Sequence, residues 1–156
     1  MTFYAWTMLV ESVRLRLVLI APLRLALSGV WLVAARADGA PSAATLIALA
    51  AGAFASAFLV TNDPFARFRK APDKVAALPV GSNVAPAWLH VVHAALPSTV
   101  GVSALAAIAL LFQPALTALL AGLLAGMGVA SLVAVYGMDG RLYLDPRTGG
   151  VFRKVT

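Results

Sequence analysis

Residues 62–83 read NDPFARFRKAPDKVAALPVGSN, and they form the long polar interruption in an otherwise apolar chain. Two apolar stretches precede this insert, at 17–36 and 43–60, and two follow it, at 84–112 and 115–136. A helix needs about 20 predominantly apolar residues to cross a bilayer. The sequence therefore predicts an all-α integral membrane protein in which four transmembrane helices form two hairpins, one on each side of the insert.

The composition points to the same class. Hydrophobic residues make up 62% of the 156 residues, charged residues make up 12%, and the mean hydropathy is +0.92. A soluble domain carries about 25% charged residues, so this chain has too little polar material to cover a water-facing surface. We expect one membrane domain over 1–136 and a polar tail over 137–156. The chain has no cysteine, which excludes disulfides and thiolate metal sites.

The positive charge is concentrated on one side of the predicted topology. Residues 1–24, the insert and the tail each carry a net charge of +2, whereas the two short turns inside the hairpins are neutral. Because loops rich in Lys and Arg remain in the cytoplasm, we expect a multi-pass protein of the plasma (inner) membrane with both termini cytoplasmic. The cations flank apolar spans and form no dense patch, which favours contact with membrane lipids over nucleic acid.

The first 24 residues allow alternative interpretations. Residues 1–16 place Glu11 and Arg14 on a polar helical stripe beside an apolar one, which predicts an amphipathic N-terminal helix on the membrane surface. An early start of the first span is the alternative. Arg24 lies about two turns inside that span, where a charge costs about 2.5–3.5 kcal/mol. It is interpreted either as a pore-facing or inter-subunit cation or as a side chain that snorkels to the headgroups.

Proline and glycine mark breaks in the second half of the chain. Pro97 lies inside the third apolar stretch and predicts a kink there. In the tail, the apolar segments 142–144 and 151–152 flank the turn-rich stretch 145–150, which is typical of a hairpin.

Small residues mark faces on which helices pack closely. Gly52 and Ser56 are four residues apart in the second stretch, and Gly122 and Gly126 form a GxxxG in the fourth. Such spacing lets two backbones approach each other. We expect these faces to pack inside the subunit, and a homo-oligomer that uses them is the alternative.

Residues with catalytic chemistry are sparse. None of the four stretches contains an acidic residue, and the chain has no phosphate-binding GxxxxGK[ST] motif. His90 and His93 share one helical face, and two imidazoles can bind a metal or haem or respond to pH. Since the chain has no other His and no Cys to complete a metal site, we interpret both as structural. We therefore expect no enzymatic activity, no cofactor and no metal.

The insert begins like a short helix. Asp63 can cap it, Pro64 suits the first helical position, and Phe65 and Phe68 fall on one side. Three cations surround those rings: Arg67, Arg69 and Lys70. So short a helix folds only against a surface, which is either the membrane or a partner.

This order of parts resembles the N-terminal two-thirds of an ABC-type exporter permease. The shared features are a cytoplasmic amphipathic segment, two spans, a short basic helix that ends in Leu78-Pro79-Val80, and a further span with a tight outer turn. The resemblance covers 1–136. It implies that residues 64–78 form the coupling helix, whose docking surface on a separate ATPase subunit consists of Phe65, Arg67, Phe68, Arg69 and Lys70. Such permeases have six spans and this chain supplies four, so the resemblance implies a truncated, split or accessory permease subunit.

A function of another class is the alternative. A small non-catalytic accessory or scaffold subunit of a larger membrane complex accounts equally well for the absence of intramembrane acids and for the small-residue faces.

Overall fold

The computed structural model describes residues 8–62, 75–96 and 98–155. That part of the chain contains five helices and five short strands. The helices are α1 (Val13–Ala37), α2 (Ala43–Thr61), α3 (Ala87–Ala95), α4 (Ser98–Phe112) and α5 (Pro114–Val135). The strands are β1 (Leu9–Ser12), β2 (Ala76–Ala77), β3 (Asn83–Val84), β4 (Leu142–Leu144) and β5 (Val151–Arg153).

The described residues include three or four candidate membrane spans, as a multi-pass membrane protein requires. The helices α1, α2 and α5 are each long and apolar enough to cross a bilayer. The pair α3 and α4 is bent by 53° and, if it counts as one broken span, brings the number to four. The predicted kink at Pro97 lies outside the described residues, but α3 ends at Ala95 and α4 begins at Ser98 on either side of it.

Helix α5 is the centre of the bundle. It packs along α1, α2 and α4, whereas α1 and α2 barely touch each other although only a short turn joins them. The cause is the run of small side chains on α5, which lets its neighbours approach on several sides. The predicted hairpin of the first two spans is therefore wrong as a description of packing, because α1 and α2 both pack on α5, whereas α4 and α5 do pack against each other.

The two ends of the bundle are closed by separate apolar clusters. At one end α1, α5 and the tail contribute Val13, Leu17, Ala134, Met138 and Leu142. At the other end the turn between α1 and α2 meets the start of α5 through Ala35, Ala40, Ala44, Ala48 and Ala118. The first end carries the start of α1, the end of α5 and the whole sheet, so the described parts of the N-terminus, insert and tail lie together.

The predicted helical class is confirmed only in part: the described residues are mostly helical, but a small mixed sheet joins those three segments. Its strand order is β2-β5-β4-β1-β3, with parallel pairing of β1 to β3 and of β2 to β5 and antiparallel pairing elsewhere. Each strand is too short to be stable alone, so its backbone groups depend on partners distant in sequence. Sequence periodicity does not report such long-range pairing.

The predicted amphipathic helix over 1–16 is also wrong where the structure describes it. Leu9–Ser12 is strand β1, which pairs with β3 and β4, and α1 begins directly after it at Val13. The Ser12 side chain accepts a hydrogen bond from the Leu15 backbone N–H and caps α1. The alternative of an early helix start is therefore the better description of residues 13–16.

The tail closes as an antiparallel hairpin of β4 and β5. Asp145 organises its turn, since its carboxylate accepts hydrogen bonds from the Arg147 backbone N–H and the Thr148 hydroxyl, both at 2.9 Å. The hydrogen bond from the Arg147 backbone lowers the pKa of Asp145 below its ordinary value. The Gly149 backbone N–H bonds to the Asp145 carbonyl at 2.8 Å, and the positive φ of 70° at Gly149 suits a glycine.

Candidate functional site

A buried carboxylate lies where the sheet meets the bundle. Glu11 is on β1, opposite Leu144 of β4, and its side chain is fully buried. One oxygen, Oε1, hydrogen-bonds Nδ1 of His93 on α3. The other, Oε2, lies 3.8 Å from the Arg16 guanidinium and 3.9 Å from Nδ1 of His90. We call these four residues the junction cluster.

The junction cluster ties three elements together. Arg16, in the first turns of α1, reaches back toward Glu11 and also donates a hydrogen bond to the His93 carbonyl at 3.0 Å. His90 and His93 are one turn apart and present both rings to the same carboxylate. A buried carboxylate is costly unless it is paired and hydrogen-bonded. Glu11 therefore holds β1, α1 and α3 in one relative position.

Some buried polar atoms of the junction cluster have no hydrogen-bond partner among the described residues. Glu11 Oε2 and both ring nitrogens of His90 are buried without a hydrogen-bond partner within 8–62, 75–96 and 98–155. Two imidazoles beside a carboxylate form a group that can hold and pass a proton. Within the same ranges no set of three or more His, Asp or Glu side chains is arranged to hold a metal ion.

A second polar site lies near the middle of α1. The Arg24 guanidinium donates to the hydroxyls of Ser98, Thr99 and Ser131 at 2.9–3.0 Å and to the Met127 carbonyl at 3.3 Å. No carboxylate of the described residues pairs with it. Arg24 thus connects α1 to the start of α4 and to α5. Its hydrogen bonds are directed to α4 and α5. The interpretations as a pore-facing or inter-subunit cation and as a snorkelling side chain stay predictions.

The predicted packing residues meet at the seam between α2 and α5. A Cβ on Gly52 would lie 3.0 Å from the Gly122 carbonyl oxygen, and one on Gly126 would lie 3.0 Å from the Ser56 backbone nitrogen. These distances show how closely the two backbones approach. The structure therefore brings Gly52, Ser56, Gly122 and Gly126 together within one subunit.

The predicted docking surface, Phe65, Arg67, Phe68, Arg69 and Lys70, lies outside the described residues. The chain leaves α2 at Asn62 and re-enters the described structure at Val75, immediately before β2. The two histidines lie in the junction cluster, His90 fully buried and His93 against Glu11.

Sequence reasoning missed Glu11 as a site residue, because it assigned this side chain to the polar stripe of a surface helix. A signal was nevertheless present: Glu11 is the chain's single glutamate and precedes a span that contains an arginine. Its contacts with His90 and His93 join residues about 80 positions apart, which no local pattern reports.

Comparison of the chain with protein-family models, with curated proteins and with solved structures gives no match.

Proposed function

We propose that this protein is a membrane-spanning, permease-like subunit of a multi-component transporter of the ABC type. In this proposal residues 64–78 couple it to a separate ATPase subunit. The observation that carries the proposal is the sheet, in which strands from the end of the insert pair with strands from both ends of the chain. A partner that binds the insert would thereby act on a structure continuous with several spans.

The connections from the sheet into the bundle are short. Strand β1 runs directly into α1, only Ala85 and Pro86 separate β3 from α3, and β4 follows six residues after α5. The strands at the end of the insert, β2 and β3, form the two edges of the sheet. A displacement of the insert would therefore pass through backbone hydrogen bonds to the ends of three helices. Coupling of this kind requires a contiguous network of packed and hydrogen-bonded groups.

The junction cluster would make the connection between the sheet and the helices rigid, so that a displacement of the insert would reach α1 and α3. Glu11 on β1 contacts both Arg16 on α1 and His93 on α3, so that β1 cannot shift without disturbing both helices. Breaking a buried ion pair by removing one partner typically costs about 3–5 kcal/mol. The cluster therefore suits a rigid link between a cytoplasmic partner and the first and third spans.

The docking half of the proposal predicts loss of the partner when the aromatic anchors are removed. We expect the double substitution Phe65→Ala and Phe68→Ala to abolish co-purification of an ATP-hydrolysing subunit, because interface aromatics typically contribute 2 kcal/mol or more each. The matched control is Arg67→Lys with Arg69→Lys, which keeps the charge and should weaken binding far less than the aromatic pair. The measurement is affinity purification from membranes of the native source, with ATPase activity of the eluate as the readout.

Glu11→Gln separates docking from coupling in the same experiment. We expect this variant to retain the ATPase subunit but to lose the change in ATPase rate that the membrane subunit confers. If the aromatic pair can be removed with the complex still intact, the coupling-helix assignment fails. The function then becomes that of a non-catalytic accessory or scaffold subunit.

A further inference from the structure

A cavity opens at the sheet end of the bundle, and no residue of the junction cluster lines it. It is a partly open groove with a volume of about 570 Å³. It lies between the start of α1 and the end of α5 and is lined by Arg14, Leu132, Val135, Tyr136, Gly137 and Met138. We call it the α1–α5 cavity.

The polar part of the α1–α5 cavity is cationic. Arg14 is exposed, and within the described part of the chain no carboxylate forms an ion pair with it. Its guanidinium lies beside Gly140. The distance from Arg14 Nη1 to the position that a Cβ on Gly140 would occupy is 3.6 Å. Arg14 is also in the first turn of α1, the end at which the helix dipole is positive. An anion is therefore favoured at this mouth of the cavity.

The remaining walls are apolar and continue onto the outer surface of the bundle. Leu132, Val135 and Met138 supply them, and Leu132 is also 42% exposed on α5. Tyr136 directly follows α5, a candidate span, and tyrosines are enriched at the ends of membrane spans. A ligand that fits this site has an anionic head and an apolar body that extends along the surface of α5.

We propose that the α1–α5 cavity binds an anionic phospholipid of the leaflet on the sheet side of the membrane. The phosphate would lie against Arg14, and an acyl chain would follow Leu132 and Val135. The occupant is a lipid and not a soluble anion, because one cation with three apolar walls matches an amphipathic ligand better than a free phosphate. The site is independent of the insert and of any ATPase subunit.

Native mass spectrometry of the full chain tests the proposal. The protein is released from detergent that contains equal amounts of phosphatidylglycerol and phosphatidylcholine with identical acyl chains. We expect selective retention of phosphatidylglycerol by the unmodified protein. Arg14→Gln should reduce that selectivity by about fivefold, the effect of one cation near an anionic surface.

Two further variants serve as controls. Arg14→Lys should keep the selectivity for phosphatidylglycerol, because the positive charge remains. Arg141→Gln removes an exposed cation from the same end of the protein but outside the cavity, and should also keep it.

Three outcomes would overturn the proposal. They are equal retention of both lipids by the unmodified protein, an unchanged selectivity in Arg14→Gln, and an equal loss in Arg14→Gln and Arg141→Gln. Displacement of the lipid by millimolar glycerol 3-phosphate would identify the site as one for soluble phosphates and would likewise reject it.

Discussion

At the scale of single residues, the least expected feature is a guanidinium inside the bundle whose described partners are all neutral. Three hydroxyls and one carbonyl accept hydrogen bonds from the Arg24 guanidinium. Each hydrogen bond to a charged group contributes about 1.5–3 kcal/mol to stability, so together they hold Arg24 in place. We expect Ser131→Ala to lower the free energy of unfolding in detergent by an amount of that order. In an Arg24→Leu background the effect should be smaller, because the Arg24 donor is gone and only the hydrogen bond from the Ser131 hydroxyl to the Met127 carbonyl is lost.

Ser103→Ala is the matched control for that cycle. Ser103 also lies in a helix of the bundle, α4, but its hydroxyl is buried without a hydrogen-bond partner among the described residues. Its removal should leave stability unchanged or slightly raised, since an unsatisfied buried hydroxyl is costly. If Ser131→Ala lowered the free energy of unfolding equally in the two backgrounds, the hydrogen bond between Arg24 and the Ser131 hydroxyl would contribute nothing to stability.

At the scale of elements, the seam between α2 and α5 depends on the absence of side chains. A Cβ on Gly122 would lie 2.8 Å from the Ala48 Cα, closer than packed carbon atoms allow. We expect Gly122→Ala to destabilise the protein by about 1–3 kcal/mol through overpacking. The measurement is the thermal or denaturant unfolding midpoint of the purified protein.

Gly101→Ala on α4 provides the comparison, because nothing lies within 4 Å of the added Cβ. There the substitution should be neutral or should stabilise the helix by about 0.5–1 kcal/mol, since alanine is the better helix former. If Gly122→Ala and Gly101→Ala changed the unfolding midpoint by the same amount, close packing at the seam would not be the cause of the lost stability.

At the scale of the whole molecule, the sheet gathers the described parts of the N-terminus, insert and tail at one end of the bundle. The charge distribution predicts that this end faces the cytoplasm. Single cysteines at Ser42 and Ser82 test this assignment, because the chain has no cysteine of its own. In intact cells we expect a membrane-impermeant thiol reagent to label Ser42→Cys and to leave Ser82→Cys unlabelled. The opposite pattern would invert the topology.

Hydropathy was enough to locate the spans. The apolar stretches at 17–36, 43–60 and 115–136 correspond to α1, α2 and α5. The prediction of a membrane protein rests on the same local property, because a bilayer demands about 20 apolar residues in succession and a helix satisfies its own backbone. The order of such helices along the chain can therefore be predicted without knowledge of any tertiary contact.

Only the tertiary structure decided how these parts are joined. The strands are two to four residues long and are stabilised by partners far away in sequence, as in the pairing of Leu9 with Asn83. The burial of Glu11 and the directions of the Arg24 hydrogen bonds depend on the same long-range contacts. The physical reason is that a local pattern records which face of an element is apolar, whereas the identity of what covers that face is set by the packing of the whole chain.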